Sequence, residues 1–411
     1  MDASEPLPRP SRTITTRCCI VGGGPAGMML GYLLGRAGVD TVVLEKHADF
    51  LRDFRGDTVH PSTMMVMDEL GLLQEFLQRP HQNIETMSGQ FGDRMFRVAD
   101  LTRLDAPAPY IAFMPQWEFL DFLADKSAAF PSLKIMRSTE AVELMRDGDR
   151  TTGVVARTRD GEIRISADLT IGCDGRHSLL RERAGLVVED IGAPIDVLWF
   201  RIGKTGPGDP AFLHVAMGQM MVTIDRGDYW QCAYIISKGQ IEALHARGLP
   251  AFRRAVVGMV PALADHIDDV KSWDDVKLLT VTVDRLAKWS APGLLCIGDA
   301  AHAMSPVGGV GINLAIQDAV ATANILAEKL QRNEVTDDDL DAVRERRLFP
   351  AKVIQAIQVQ IHNRVIGGAL GGALRPPLPL RLISAVPLLQ RLVGRLLAMG
   401  VRPEHVHSPQ A

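Results

Sequence analysis

The segment that most constrains the fold lies near the N-terminus, where an apolar strand pattern runs into a glycine-rich turn. Residues 18–22 read Cys-Cys-Ile-Val-Gly, a run typical of a strand buried on both faces of a parallel sheet. A helix pattern follows from Met28 to Ala37, and Thr41–Glu45 has a second strand pattern. These residues predict one βαβ unit and, around it, a doubly wound α/β fold.

The turn of this unit has the spacing of a phosphate-binding loop. In G-x-G-x-x-G, Gly22 permits the tight turn, Gly24 admits a pyrophosphate, and Gly27 lets helix and strand pack closely. The N–H groups that begin the helix then favour an anion. Glu45 ends the second strand, where an acid binds ribose hydroxyls, so the pattern predicts FAD or NAD rather than NADP.

Late in the chain, another apolar strand pattern ends in an acid, and a glycine-rich loop follows it. The buried run Leu294–Gly298 precedes Asp299, and the loop around Gly308 opens a long helix pattern. Asp299 is predicted to bind a polyol hydroxyl, and the loop backbone to donate to an electron-rich ring. A helix N-cap is the alternative for Asp299. An extended FAD needs such a second site because its two ends lie far apart, whereas a nicotinamide cofactor does not.

A third motif lies mid-chain, where the strand pattern Asp168–Cys173 enters Asp174-Gly175-Arg176-His177-Ser178. A β-turn with helix capping by Ser178 is expected whether or not the motif binds a ligand.

Together, the three motifs resemble those of the class A flavoprotein aromatic hydroxylases, which are similar to para-hydroxybenzoate hydroxylase. The resemblance covers roughly residues 14–330. It implies a Rossmann-like FAD-binding domain of the glutathione reductase type, an inserted β-sheet substrate domain and a helical C-terminal tail. The implied FAD-binding domain spans 13–85, 114–190 and 286–340, the substrate domain 86–113 and 191–285, and the C-terminal region 341–411.

The same resemblance implies an oxidoreductase that uses FAD and NADH or NADPH. It would hydroxylate an aromatic small molecule with O₂ through a flavin C4a-hydroperoxide. The implied cofactor-binding residues are Gly22, Gly24, Pro25, Ala26, Gly27, Glu45, Lys46, Arg55, Gln116, Asp174, Gly175, Asp299, Pro306, Gly308, Gly309, Gly311, Ile312 and Asn313.

The substrate pocket is expected in the sheet between about residues 190 and 285, by the same analogy. Its candidate residues are Trp199, Arg201, His214, Met217, Met220, Trp230, Gln231 and Tyr234. About half of the side chains in alternating strands face away from any one pocket. The methionines and tryptophans favour a roomy, apolar pocket for a bulky or hydrophobic aromatic. His60 and His214 are the candidate general bases, although a lone histidine is more often structural.

Composition limits the partners and the compartment. Lys and Arg number 45 and Asp and Glu 49, a net charge of −4, and aromatic residues are only 5%, so nucleic acid is not an expected partner. The five cysteines include no C-x-x-C pair, which predicts neither a metal site nor a disulfide framework. A reducing, cytoplasmic location is expected.

No secretory signal or membrane span is visible in the sequence. The segment 365–399 is apolar but interrupted by Gly, Pro and Arg, which leaves two interpretations: a packed helical tail or a weak interfacial contact with a membrane. The chain is expected to be a monomer or a homodimer.

Other activities on the same scaffold stay open from sequence alone. They include a prenyl-quinone-type ring hydroxylase, an epoxidase and an N-hydroxylase. A flavin-dependent halogenase is disfavoured because its Trp-rich signature is absent. A non-enzymatic flavin-binding protein is the alternative of another class.

Overall fold

The computed structural model describes residues 12–51, 58–92, 94–205, 212–216, 218–363 and 378–411. Arg55 and Met217, two of the predicted site residues, lie outside these ranges. The described strands are β1 (Arg12–Val21), β2 (Thr41–Leu44), β3 (Thr58–Val59), β4 (Gln82–Ile84), β5 (Thr86–Phe91), β6 (Arg94–Asp100), β7 (Ile111–Phe113), β8 (Leu133–Met136), β9 (Glu140–Asp147), β10 (Arg150–Thr158), β11 (Gly161–Gly172), β12 (Val188–Asp190), β13 (Ile195–Gly203), β14 (Leu213–Ala216), β15 (Gln219–Asp225), β16 (Tyr229–Ser237), β17 (Lys277–Thr280), β18 (Asp284–Leu286), β19 (Ser290–Ala291) and β20 (Leu294–Cys296).

The described helices alternate with these strands in the first part of the chain and dominate its end. The α-helices are α1 (Pro25–Arg36), α2 (Pro61–Glu69), α3 (Leu73–Phe76), α4 (Gln116–Ser127), α5 (Leu179–Arg183), α6 (Ile241–Arg247), α7 (Leu249–Met259), α8 (Gly311–Arg332), α9 (Asp337–Ile361), α10 (Leu378–Ala385) and α11 (Pro387–Met399). Short 3-10 helices span Pro261–Asp269, Trp273–Asp275, Gly298–Ala300 and Val307–Gly309.

The first large sheet has the strand order β19-β20-β11-β1-β2-β8, and β10 and β9 extend it from β11. β1 is parallel to both β2 and β11, and β11 is parallel to β20. Both faces are buried, as predicted: Ile20 packs in one core with α1 and α8, whereas Val21 packs in another with residues of β9 and β10. The βαβ unit and the α/β class are thus confirmed.

The second large sheet has the order β17-β13-β16-β15-β14-β5-β6. One face packs against α7 and the 3-10 helix Pro261–Asp269, with Phe200 and Phe252 in the shared core. Helices α10 and α11 contact β6 at the far edge of the sheet. β7, which falls within the range 86–113, lies in a separate three-stranded sheet with β3 and β4.

The last residues contact the ends of helices α1 and α2. The backbone N–H of Ala411 donates to the carbonyl of Arg36 at 3.0 Å, and that of Val406 donates to the Glu69 carboxylate at 2.8 Å. Among the described residues, the helix Val307–Arg332 is long and apolar enough to cross a membrane, yet 78% of its apolar window is buried inside the protein. Such burial is typical of a core helix.

Candidate cofactor and substrate site

Four parallel strands of the first sheet end level with one another. Val21 pairs with Leu44 on one side and with Gly172 on the other, and Gly172 pairs with Cys296. The residues that follow these strands therefore meet at one sheet edge. The three sequence motifs come together there, at the place where open α/β sheets bind their ligands.

The three glycines of the first loop differ in whether the fold has room for a side chain at their position. Gly22 has φ +107°, and a Cβ there would lie 2.3 Å from the Cys173 carbonyl oxygen. A Cβ on Gly27 would lie 1.9 Å from the Gly22 carbonyl oxygen. Gly24 is different, because a Cβ there would meet no atom within 4 Å. The fold itself therefore demands glycine at Gly22 and Gly27, whereas Gly24 leaves open space.

The open space at Gly24 lies at the start of α1. Gly24 is the N-cap of this helix, and no side chain caps the helix or places an acid in its first turn. The unpaired N–H groups and the helix dipole together favour an anion at this point. Pyrophosphate fits both the space and the donor set.

Glu45 is held in place beside this loop. Its Oε2 accepts from the backbone N–H of Gly23 at 3.1 Å, and its Oε1 accepts from that of His47 at 2.9 Å. Glu45 is buried, so its assignment to the ribose hydroxyls stays a prediction.

Asp174 places a buried carboxylate at the same sheet edge. Its Oδ2 accepts from the backbone N–H of Leu180 at 3.2 Å, but within the described ranges its Oδ1 has no partner. Burial raises the pKa of this carboxyl and outweighs the hydrogen bonds from Ser178 and the backbone, which act to lower it. Buried acceptors are nearly always satisfied, so Oδ1 fits a donor from a ligand.

A cavity of about 1510 Å³ joins this edge to the second sheet. Its volume exceeds the roughly 300–1,000 Å³ that usually holds one ligand, so it has room for a cofactor and a substrate. The predicted cofactor residues that line it are Gly24, Pro25, Ala26, Lys46, Gln116, Asp174, Gly175, Asp299, Pro306, Gly308, Gly309, Gly311 and Ile312. Asp299 also pairs with Arg176 at 3.5 Å across the cavity wall. Gly22, Gly27 and Glu45, which are also predicted to bind the cofactor, do not line the cavity.

Asn313 is predicted from the sequence to bind the cofactor, but its side chain has other partners in the structure. Its side chain does not face the cavity, because its Oδ1 accepts from the His60 backbone N–H at 2.9 Å and from Thr63 Oγ1 at 2.8 Å. Its Nδ2 donates to the carbonyls of Thr58 and Gly309, each at 3.3 Å. Asn313 is therefore a positioning residue that ties the loop before α8 to the start of α2.

Sequence reasoning missed a second support of this loop, on α9. The buried Gln358 accepts from the Ser305 backbone N–H at 3.1 Å and donates to the carbonyls of Ser305 and Val307, each at 2.9 Å. The available signal was the spacing of Gln355 and Gln358, three residues apart among the apolar positions of a helix pattern. Buried amides at that spacing indicate backbone partners.

Replacing Gln358 with leucine is expected to loosen the loop. The carbonyls of Ser305 and Val307 lose their donor, which costs about 1–3 kcal/mol of folding free energy. We also expect a shifted visible flavin spectrum and roughly tenfold weaker FAD retention. Gln355→Leu is the control, because Gln355 Nε2 donates to the Asp284 and Ala303 carbonyls instead. Equal effects of both variants on FAD would contradict the role given to Gln358.

The second sheet brings only part of the predicted substrate set to the cavity. Trp199, Met220 and Gln231 line it. Trp230 and Tyr234 face the other side of β16, where the Tyr234 ring lies 5.4 Å from that of Phe252. Arg201 stacks over Tyr229 at 4.2 Å and is not in the cavity wall.

The residues of β16 that do face the cavity are Gln231, Ala233 and Ile235. They alternate with Trp230 and Tyr234, as the period of a strand requires. The structure therefore places Trp230 and Tyr234 one position away from the cavity-facing residues of the same strand.

The two candidate bases differ in position. His214 is buried away from the cavity wall, and its Nε2 lies 3.0 Å from Thr223 Oγ1, so the structure does not bring it to the site. His60 borders the cavity, and its Nδ1 lies 2.7 Å from the Leu397 carbonyl oxygen. Burial lowers the pKa of His60 to about 4, so the ring is neutral near pH 7. In the described part of the chain its Nε2 has no partner.

The glycine-rich turn at the sheet edge opens into the apolar part of the cavity. This arrangement is typical of a flavoprotein that binds FAD beside a small organic molecule. The profile of the family described as FAD binding domain matches residues 15–357, so the chain belongs to this family.

Two curated relatives and one solved structure show what the chain is similar to. It is 30% identical over 396 residues to 6-methylpretetramide 4-monooxygenase of Streptomyces rimosus, covering 96% of this chain and 94% of that relative. It is 28% identical to dialkyldecalin synthase of Streptomyces rugosporus, covering 76% of this chain but only 65% of that protein. The fold matches anhydrotetracycline hydroxylase of Streptomyces rimosus with TM-score 0.73 at 22% identity, over 95% of this chain and 77% of that one.

The predicted class is thereby confirmed. The protein is an FAD-dependent aromatic monooxygenase that consumes NAD(P)H and O₂ and acts on a small molecule. The quinone hydroxylase, epoxidase and N-hydroxylase alternatives are not favoured.

Proposed function

We propose that this enzyme hydroxylates a polycyclic aromatic molecule of the polyketide type in the cytoplasm, as a monomer or homodimer. The observation that carries the proposal is the apolar chamber beside the loop that precedes α8. Its walls are built from Val197, Met220 and Ile235 of the second sheet and from Ile357 and Leu397 of the C-terminal helices. A chamber of this kind favours a large planar hydrocarbon frame over a small carboxylate. The name of the relative 6-methylpretetramide 4-monooxygenase supports the same class.

The chain's residues bind, orient and shield the reactants. When FAD is bound, it passes two electrons from NAD(P)H to O₂, so that one oxygen atom enters a substrate C–H bond and the other leaves as water. The open space at Gly24 and the α1 N-terminus would hold the pyrophosphate, and the Pro306–Ile312 loop would face the ring system. The apolar wall excludes water from the space between that loop and the second sheet.

Anaerobic flavin reduction tests this proposal. With NADH and NADPH offered in turn, a polycyclic phenol is expected to speed reduction more than a one-ring phenol does. Ala233 faces the chamber, and Ala233→Phe should abolish the response to the polycycle while sparing that to the single ring. The control is Cys232→Val, since Cys232 packs in the core on the opposite face.

A bound flavin that no nicotinamide reduces, with any compound, would overturn the proposal. It would favour a flavoprotein whose flavin does not turn over. An unchanged polycycle response in Ala233→Phe would show that the chamber is not the substrate site.

His60 is the remaining proposed base, and the structure suggests a sharp test of it. Asparagine places its amide nitrogen where His60 Nδ1 lies, so His60→Asn keeps a donor for the Leu397 carbonyl but removes Nε2. Glutamine extends to the position of Nε2 instead. If Nε2 takes the substrate proton, both variants should lose at least about a hundredfold in kcat and the acid limb of the pH profile near pH 4.

A positioning role for His60 makes a different prediction. His60→Asn would then stay within a few fold of the wild type, and only His60→Gln would lose FAD alignment. Near-normal activity of His60→Asn with an unchanged pH profile would therefore exclude His60 as the base.

A further inference from the structure

The outer surface of the last two helices is unusually apolar. Within the described ranges, five of the eleven large hydrophobic side chains that are exposed lie between residues 378 and 392. They are 39% to 64% exposed and comprise Leu378, Leu382, Val386, Leu388 and Leu392. Four of them are paired four residues apart, and such pairs share one face of a helix. Soluble proteins normally scatter exposed apolar side chains singly.

The same helices carry only positive charge. The sequence 378–399 contains Arg381, Arg391 and Arg395 and no Asp or Glu, although the whole chain has a net charge of −4. Arg381 and Arg395 are exposed beside the leucines. Leucines flanked by exposed arginines are the pattern of a helix that lies in a membrane interface.

The geometry suits a surface contact rather than a span. α10 has 8 residues and α11 has 13, and their axes meet at 105°. Neither helix reaches the ~20 residues that cross a bilayer. The pair is fixed to the protein on its inner side, since a Cβ on Gly394 would lie 2.5 Å from the Asp100 carbonyl oxygen.

We propose that the outer face of α10 and α11, defined by Leu378, Leu382, Val386, Leu388, Leu392, Arg381 and Arg395, binds an anionic lipid surface. The leucines enter the boundary of the acyl chains, and the arginines meet lipid phosphates. A second copy of the chain fits this face less well. A two-fold interface would place the same arginines against each other, with no acid in the segment to pair with them.

The inner side of these helices suggests a function for the lipid contact. Leu380 and Ile383 of α10 and Val393 of α11 line the chamber. An apolar substrate that partitions into lipid would thus be concentrated within one helix diameter of its binding site. This last step rests on the proposed function, whereas the lipid contact itself does not.

Vesicle flotation of the FAD-loaded full chain tests the contact. We expect binding to phosphatidylcholine vesicles that contain one third phosphatidylglycerol, weak binding to phosphatidylcholine alone, and loss of binding in high salt. The double variant Leu382→Ser and Leu388→Ser should lower the bound fraction by about tenfold or more. Arg381→Gln with Arg395→Gln should remove the preference for the anionic vesicles.

Phe349→Ser is the matched control, because Phe349 is an exposed large side chain of α9 outside this face. Circular dichroism and flavin absorbance confirm that each variant is folded and loaded. The proposal is wrong if the wild type does not float, or if the double serine variant floats as well as Phe349→Ser. A loss of dimer mass in the serine variant, without vesicle binding by the wild type, would assign the face to a second copy. These outcomes do not depend on activity, so they stand apart from the test of the proposed function.

Discussion

Gly24→Val is expected to abolish tight FAD binding while leaving the apoprotein folded. Gly24 has φ −77° and ψ −174°, which valine adopts readily, and a Cβ at this position meets no protein atom within 4 Å. The valine side chain would instead fill the space for the pyrophosphate at the start of α1. We expect FAD affinity to fall by at least about a hundredfold, with an unchanged Tm of the apoprotein. Titration of the apoprotein with FAD, followed by flavin fluorescence, measures the loss.

Gly27→Ala is the control for Gly24→Val. The new Cβ would lie 1.9 Å from the Gly22 carbonyl oxygen, so the loop and α1 must move apart. This variant should lower the Tm of the apoprotein itself. Tight FAD binding by Gly24→Val would show that the pyrophosphate lies elsewhere, and a collapsed Gly24→Val apoprotein would show that the fold needs this glycine.

Asp318→Ala is expected to produce the largest loss of stability. Asp318 is fully buried on α8, where its carboxylate accepts from His302 Nε2 at 2.6 Å and from Arg347 Nε at 2.9 Å. The backbone N–H of Gly298, at the end of the β20 segment, donates to the same carboxylate at 3.0 Å. Removing it breaks the buried ion pair with Arg347, which keeps Glu404 at 3.0 Å, and leaves the buried Gly298 N–H without its acceptor. Breaking such a pair costs about 3–5 kcal/mol of unfolding free energy. Urea unfolding measures the difference.

The effect of Asp318 also depends on pH. Burial acts to raise the pKa of this carboxyl, but His302 and Arg347 outweigh it and hold the pKa below its usual value. The stabilisation is thus fully present above the unfolded pKa of about 3.9 and is lost as the pH falls through the folded value. The wild type and Asp318→Ala should therefore converge only below about pH 4.

Glu328→Ala is the matched control for the loss of a carboxylate on α8. Glu328 pairs with Arg332 at 3.8 Å, and both side chains are mostly exposed. Exposed pairs of this kind contribute about 0–1 kcal/mol. If Asp318→Ala costs no more than Glu328→Ala near pH 7, the buried cluster does not stabilise the fold.

The cofactor cradle was predictable from the sequence because its signals are local. Gly22 must turn with positive φ, and Gly27 must pack closely, so both requirements are visible within six residues. Each strand that carries an acid to the sheet edge is a short apolar run with a turn after it. The resemblance to a known family implied that the three motifs act together. Asp174 and Asp299 do line one cavity in the structure.

The substrate side was less predictable because β16 is buried on both faces. Its residues Trp230 to Ile236 are all apolar or buried, so no alternation of polar and apolar positions shows which face meets the cavity. Only the packing of α7 against Trp230 and Tyr234 assigns Gln231 and Ala233 to the chamber.

The sequence by itself determined the α/β class and the phosphate-binding turn, because these depend on φ angles and residue sizes at neighbouring positions. The resemblance of its three motifs to a known family implied the FAD-dependent class of chemistry. The tertiary structure alone decided which side chains support the site from a distance. Gln358 reaches Ser305 across 53 positions of the chain, and Asn313 reaches His60 across 253. A hydrogen bond between distant segments leaves no local pattern, since it forms only after the helices and both sheets have packed.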